Sequence, residues 1–390
     1  ILRTSLAWDA LEQPMQVVWR EARLDVEPVS VAGDSIVEQL RERQRPLALR
    51  KAPLMALDYA ADPLNRRWAG MLRFHHLVND ATSTQVLMAD ICAHLQGEQQ
   101  QLPAPVPYRN VVAQARSPAR QAGHEAFFRE QLADVDEPTL AFGLQERQAD
   151  RRETEEADVL LPDALGQLLR EQARSMGVSA ASLFHLAWAQ VLGRVSGRDD
   201  VVFGTVLLGR LQAGEGADRA LGMFINTLPL RVNVAAPAAV AVKATHGRLS
   251  ALLGHEHASL ALAQRCSGGA NASPLFSAVL NYRHSTPGEM ARDGHGIWEG
   301  VQLLGGEERS NYPLTLSVDD LGAGFGLTVL ALESIGAQRL CDCMHSALAQ
   351  LVDALEQTPE TPLNQLPILP APEREKLLRT FNTTGRDYPQ

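Results

Sequence analysis

Apolar and polar positions along the chain change period from block to block, and each block predicts an element. In STQVLMADICAHLQ (83–96), Val86, Leu87, Ile91 and Leu95 recur at helical spacing, with Thr82 or Ser83 as the expected N-cap. LPDALGQLLREQARSMGVS (161–179) predicts a long amphipathic helix. SAASLFHLAWAQVLGRVSG (179–197) predicts a second, apolar on most faces and therefore buried. Helices are also expected over 35–47, where Pro46 stops the pattern, and over 124–135, 240–259 and 339–357. A proline-rich approach to a helix covers 103–116. Strand patterns cover 15–29 with a turn, 68–76, DVLLP (158–162), 201–210, 223–234 and 274–285, and 312–320 with 324–332 reads as a hairpin. Strands and helices mix throughout, so the class is α/β or α+β.

Length and composition narrow this picture. The chain has 390 residues, of which 45% are hydrophobic, enough for a sizeable core in two to three domains or one two-lobed unit. A polar, charged stretch, QERQADRRETEEAD (144–157), is the expected junction between an N-terminal lobe, 1–150, and a C-terminal lobe, 151–360. The proline-punctuated tail, 361–390, reads as a linker. The first residues resemble no signal peptide and open in mid-element, so the chain reads as a piece of something longer.

Charge and cysteine usage remove several functions. The formal net charge is −10 and no Lys/Arg cluster stands out, which sets nucleic acid aside. Neither an apolar run of spanning length nor a basic amphipathic helix is visible, which sets the membrane aside. Four cysteines make no disulfide framework and suit a reducing cytoplasm. Cys341 and Cys343 stand two apart on a helical pattern, so they face different ways and read as buried, inert thiols.

Candidate chemistry concentrates in FHHLVND, 74–80, on the loop between a strand and a helix. Core packing is one reading of His75 and His76. Metal binding is another, but adjacent strand residues point to opposite faces and no further ligands lie nearby, so no metal is expected. In a third reading one imidazole serves acid–base or polar catalysis while its neighbour packs behind, and Asp80 fixes the loop.

Other segments give that third reading its company. ILRTSLAW (1–8), FHHLVNDATS (74–83), PVPYRNVVAQAR (105–116), LGMFINTLPLR (221–231), HEHASLALAQ (255–264) and NASPLFSAVLNYRHS (271–285) resemble, in order, the motifs of the condensation domain of nonribosomal peptide synthetases. FNTTGRDYP (381–389) is similar to the hinge leading into an adenylation domain. The resemblance implies two α/β lobes in a chloramphenicol-acetyltransferase-like V with a channel between them. It implies an acyltransferase-type enzyme that joins a donor acyl or peptidyl thioester to an acceptor aminoacyl thioester. Both substrates would ride on the phosphopantetheine of donor and acceptor carrier proteins, with no cofactor bound by the domain itself and an adenylation domain adjacent.

By position, the resemblance makes His76 the catalytic histidine, as general base or as a hydrogen-bond partner of the amine. His75 and Asp80 become structural, with Arg3 the surviving arginine of the early motif. Asn226 becomes a channel residue, with a strand-end hydrogen bond to backbone as its plain alternative. Ala81 replaces the motif's glycine on the donor side. The wording of the second half also resembles lipopeptide synthetase domains, many of which epimerise the donor residue before joining it. A stand-alone epimerisation domain, a degenerate docking module and an acyltransferase acting on free thioesters are the competing readings.

Overall fold

The computed structural model describes residues 1–30, 35–43, 45–144, 154–214, 216–269, 274–284, 302, 304 and 311–383. These fall into two compact units, one of residues 1–116 with 209–225 and one of 117–208 with 226–390.

The first unit carries two small sheets. β1 (Thr4–Ala7) pairs antiparallel with β2 (Met15–Val18). β3 (Asp25–Pro28) runs parallel to β4 (Met55–Asp62), which pairs antiparallel with β5 (Arg67–Phe74). Helix α1 (Ile36–Glu42) buries Ile36 and Leu40 with Ala60 of β4 and Ala69 of β5. Helices α2 (Ala81–Leu95) and α3 (Tyr108–Ala115) complete the unit.

The second unit is built on a six-stranded mixed sheet. Its strands are β6 (Thr154–Leu160), β7 (Asp200–Leu207), β8 (Asn226–Asn233), β9 (Ala278–His284), β10 (Leu314–Asp320) and β11 (Phe325–Leu332), in the order β6-β11-β10-β9-β7-β8. β9 is parallel to both β7 and β10, and the remaining pairs are antiparallel. The hairpin expected over 312–332 is β10–β11, with Leu314 opposite Ala331. Helices α4 (Pro118–Leu132), α5 (Asp163–Met176), α6 (Ala180–Ser196), α7 (Ala238–Leu253), α8 (Leu260–Arg265), α9 (Ala337–Gln357) and the short α10 (Ala371–Glu375) follow in chain order. The all-round apolar pattern of α6 has its cause in burial: every residue from Ser182 to Gly193 is buried. Cys341 and Cys343 are buried on α9, and burial pushes both thiols up to about 11, so neither is a nucleophile at neutral pH. Among the described residues no single helix is long and apolar enough to cross a membrane.

Three segments pack differently from the lobe boundaries read in the sequence. Residues 117–144 belong to the second unit because α4 buries Phe128 and Leu132 in its core. Residues 209–225 leave the second unit's sheet and belong to the first. The charged junction, 144–157, lies mostly outside the described residues. Residues 361–368, read as the start of a linker, are clasped by the second unit. Asn364 donates its N–H to the Val234 carbonyl (2.8 Å), and Gln190 Nε2 on α6 donates to the Leu363 and Leu366 carbonyls (3.1 Å each). Leu363 is fully buried. The hinge-like segment 381–389 lies outside the described residues from 384 on.

Arg231, the arginine that ends FINTLPLR, fastens α4 to the sheet. Its guanidinium forks onto Asp200 (3.0 and 2.6 Å) and Asp134 (2.5 and 2.8 Å), and Nη1 also donates to the Gln131 carbonyl (3.0 Å). That pairing holds the Asp134 carboxyl down at about 2. A lysine carries the charge without the planar fork. Arg231→Lys is expected to lower the melting temperature by about 2–4 °C. An unchanged melting curve would make the fork dispensable.

Candidate active site

The site is built where β5 hands over to α2. His75 continues the extended backbone, with φ −93° and ψ 134°, and its N–H bonds the Leu54 carbonyl at 3.0 Å. One turn of 3-10 helix, His76–Val78, follows, and Asp80 then caps α2. The sequence pattern placed this cap at Thr82 or Ser83. It lies at Asp80 because that carboxylate accepts the Ser83 N–H at 2.7 Å.

The two histidines are both partly buried, and their hydrogen bonds settle where each proton sits. His75 Nδ1 accepts the Leu77 N–H at 3.2 Å. A nitrogen that accepts carries no proton, so neutral His75 is protonated on Nε2. Burial, helped by the neighbouring His76, holds the His75 pKa below the usual histidine value. His76 Nδ1 lies 3.1 Å from the Asn79 carbonyl oxygen. A carbonyl only accepts, so here Nδ1 is the donor and Nε2 of the neutral ring carries the lone pair. The adjacent imidazoles are thus opposite tautomers. His75 closes the turn, and His76 keeps Nε2 as its basic atom.

Asp80 is 2% exposed, and its two oxygens accept from three directions. Oδ1 takes the Ser83 N–H and Arg210 Nη2 (2.7 Å each), and Oδ2 takes the Phe224 N–H (2.9 Å). Arg210 also donates to Ser83 Oγ (3.0 Å), to the Ala220 carbonyl (3.1 Å) and to the Ala217 carbonyl. Its guanidinium carbon stands 3.9 Å from the centre of the Phe224 ring. Ser83 Oγ donates to the Gly222 carbonyl (2.7 Å) and accepts the Gly222 N–H (3.0 Å). Asp80 and Ser83 at the start of α2 therefore hold both ends of the 209–225 excursion.

Tyr108 seals this excursion from the other side. Its hydroxyl donates to the Met223 carbonyl, and its ring meets Phe224 edge-on at 5.4 Å. Burial, then the Asp80 charge, pushes the phenol up to about 12, so it stays a donor at neutral pH. Residue 222 is glycine because a Cβ there would overlap the Tyr108 ring. Gly209 has φ +67° and a Cβ there would strike the Phe224 carbonyl, so the turn into the excursion also requires glycine.

The condensation domain model matches residues 1–378. The chain belongs to the condensation domain family. This condensation domain is 43% identical to malpibaldin synthetase of Mortierella alpina over 396 residues, covering all of the chain and 7% of that relative. It is 29% identical to a chondramide synthase of Chondromyces crocatus over 402 residues, covering 98% of the chain and 10% of that relative. The chain therefore spans a small part of the curated relatives it matches. The first condensation domain of the calcium-dependent antibiotic synthetase, solved with a substrate analogue, matches with a TM-score of 0.66 and 21% identity over 94% of this chain and 87% of that one. The expected α/β, chloramphenicol-acetyltransferase-like class is the class of this condensation domain.

Other residues singled out from the condensation motifs are placed as follows. Arg3 is exposed and donates to the Arg20 carbonyl, and the cation on Asp80 is Arg210. Sequence reasoning missed Arg210. The available signal was a Gly-Arg pair just past an apolar strand, combined with the rule that a buried carboxylate has a cationic partner. Ala81 is exposed at the first position of α2. Asn226 opens β8 in the second unit, and Nδ2 donates to the Glu256 (2.9 Å) and Ala258 (2.5 Å) carbonyls. Its side chain thus makes a strand-end bond to backbone that fixes the HEHAS loop. Among the described residues no group of three or more His, Cys, Asp or Glu side chains is arranged to hold a metal ion.

Proposed function

We propose that this chain forms amide bonds in nonribosomal peptide synthesis, with His76 as its catalytic residue. The donor is an acyl or peptidyl thioester and the acceptor an aminoacyl thioester, each on the phosphopantetheine of a carrier protein beside an adenylation domain. The tautomer of His76 carries the reading. With Nδ1–H given to the Asn79 carbonyl, Nε2 is the unprotonated, basic nitrogen of the neutral ring.

The acceptor nitrogen attacks the thioester carbonyl, the tetrahedral intermediate collapses, and the C–S bond breaks. The proton lost by the amine ends on the departing sulfur, and Nε2 is the atom suited to carry it across. A neutral amine needs no base for the attack itself, so alignment of two tethered reactants contributes much of the rate. Asp80 and Arg210 have no chemical role in this scheme; they hold the loop that bears His76.

The same nitrogen is chemically able to take a Cα proton from the donor residue, which keeps donor epimerisation as a second activity of one base. Both are read in one assay. Carrier proteins loaded with donor and acceptor thioesters are mixed with the chain, and the dipeptidyl thioester is followed by mass spectrometry with chiral analysis. His76→Ala is expected to cut product formation about tenfold to a hundredfold at an unchanged melting temperature. Undiminished product would remove His76 from the chemistry, and an L-configured donor residue in the product would remove epimerisation. Failure of both activities in the unmutated chain would favour a docking module.

A further inference from the structure

We propose that Asn79 is a positioning residue that fixes which nitrogen of His76 is basic, acting through its own peptide group. Asn79 is 2% exposed, and three of its polar groups are committed. Its N–H donates to the His76 carbonyl (3.2 Å), and its carbonyl accepts His76 Nδ1–H (3.1 Å). Its side-chain Nδ2 donates to Thr84 Oγ1 on the first turn of α2 (2.6 Å).

The direction of that last bond is settled by Thr84. The threonine hydroxyl has one proton and gives it to the Asp80 carbonyl (3.1 Å), so its oxygen accepts from Asn79. Asn79 Oδ1 is buried with no hydrogen-bond partner among the described residues. A buried amide oxygen without a partner is costly, and an apolar side chain here would avoid that cost. The amide's donor half offsets it by tying residue 79 to the helix. The helix start is itself fixed by Asp80, so the plane of the 79–80 peptide is held from both sides. That plane carries the carbonyl that receives the His76 Nδ1 proton.

Without the tie to Thr84, the 79–80 peptide is free to turn and its carbonyl leaves Nδ1. The ring is then able to place its proton on Nε2, and the basic atom moves to the wrong end of the imidazole. This inference rests on the reading of His76 as the base, but its first readout does not depend on activity.

The test is long-range proton–nitrogen NMR of the whole chain labelled with ¹⁵N-histidine, with His76 assigned by the signal lost in His76→Gln. The unmutated chain is expected to show His76 as the Nδ1–H tautomer at pH 8. Asn79→Ala and Thr84→Val are both expected to give a tautomer mixture. Each is also expected to lower kcat about tenfold with KM little changed and to shift the pH profile of kcat. Thr84→Ser, which keeps the hydroxyl, is expected to restore the single-tautomer spectrum. If Asn79→Ala does not fold, Thr84→Val, which keeps the shape of the side chain, decides alone. A pure Nδ1–H spectrum in Thr84→Val overturns the inference whatever the activity. A tautomer mixture with an unaltered rate upholds the positioning of His76 and instead removes His76 from the chemistry.

Discussion

Arg210→Ala is expected to destabilise the start of α2 and the 209–225 excursion by about 3–5 kcal/mol, the usual cost of leaving one buried partner of an ion pair uncompensated. The Asp80 side chain is 2% exposed and that of Arg210 12%, so water is poorly placed to replace the guanidinium. The loss is not confined to one pair. The carbonyls of Ala217 and Ala220, the Ser83 hydroxyl and the Phe224 ring all lose the same cation. Arg210→Lys recovers only part, because one ammonium has no planar fork to span these acceptors. Hydrogen exchange read by mass spectrometry over 76–95 and 209–225 checks this. Wild-type protection of both segments in Arg210→Ala would show that Asp80 is held by its backbone donors alone.

The second large effect is on pH. His185 is fully enclosed on α6, with Nδ1 donating to the Ala181 carbonyl (2.7 Å) and Nε2 accepting the Thr205 hydroxyl (2.8 Å). Burial pulls its pKa down to about 4. His124 on α4 is also drawn down to about 4, by burial first and then by His255, His257 and Arg120. Its Nδ1 lies 2.8 Å from Nδ1 of His255. Both folded values lie below the unfolded histidine value of about 6.5. The unfolded chain therefore takes up protons first as pH falls. The stability these groups contribute is fully present above pH 6.5 and is lost between there and about pH 4. For His185 the whole loss is roughly 3 kcal/mol. Urea unfolding at a series of pH values from 7.5 to 4.5 measures it, and His185→Gln is expected to flatten the slope by up to one proton. An identical slope in that variant would mean that the imidazole is solvated and titrates normally.

Elements with a strong period were legible in the sequence, while allegiances between distant segments were not. The apolar stripes of α5, α6 and α9 and the runs of β7, β10 and β11 each carry their signal within one element. β4 went unread because MALDYAAD mixes alanines and acids that favour strands weakly, and its partners fix it instead. FHHLVND stood out in the sequence as candidate chemistry, but what distinguishes its residues depends on hydrogen bonds. His75 and His76 differ because Leu77 offers an N–H and Asn79 a carbonyl. Arg210 lies 130 residues from Asp80 in the chain, a separation that no local pattern spans. Arg3, the surviving arginine of the early motif, donates to the Arg20 carbonyl.

That 130-residue separation also sets a timetable for synthesis. A ribosome adding about 5–20 residues per second takes on the order of ten seconds to pass from Asp80 to Arg210. During that interval the emerging chain has the capping carboxylate but not its cation, while α4, α5, α6 and the whole of β7 are being made. The start of α2 therefore leaves the ribosome well before the cation that completes its ion pair.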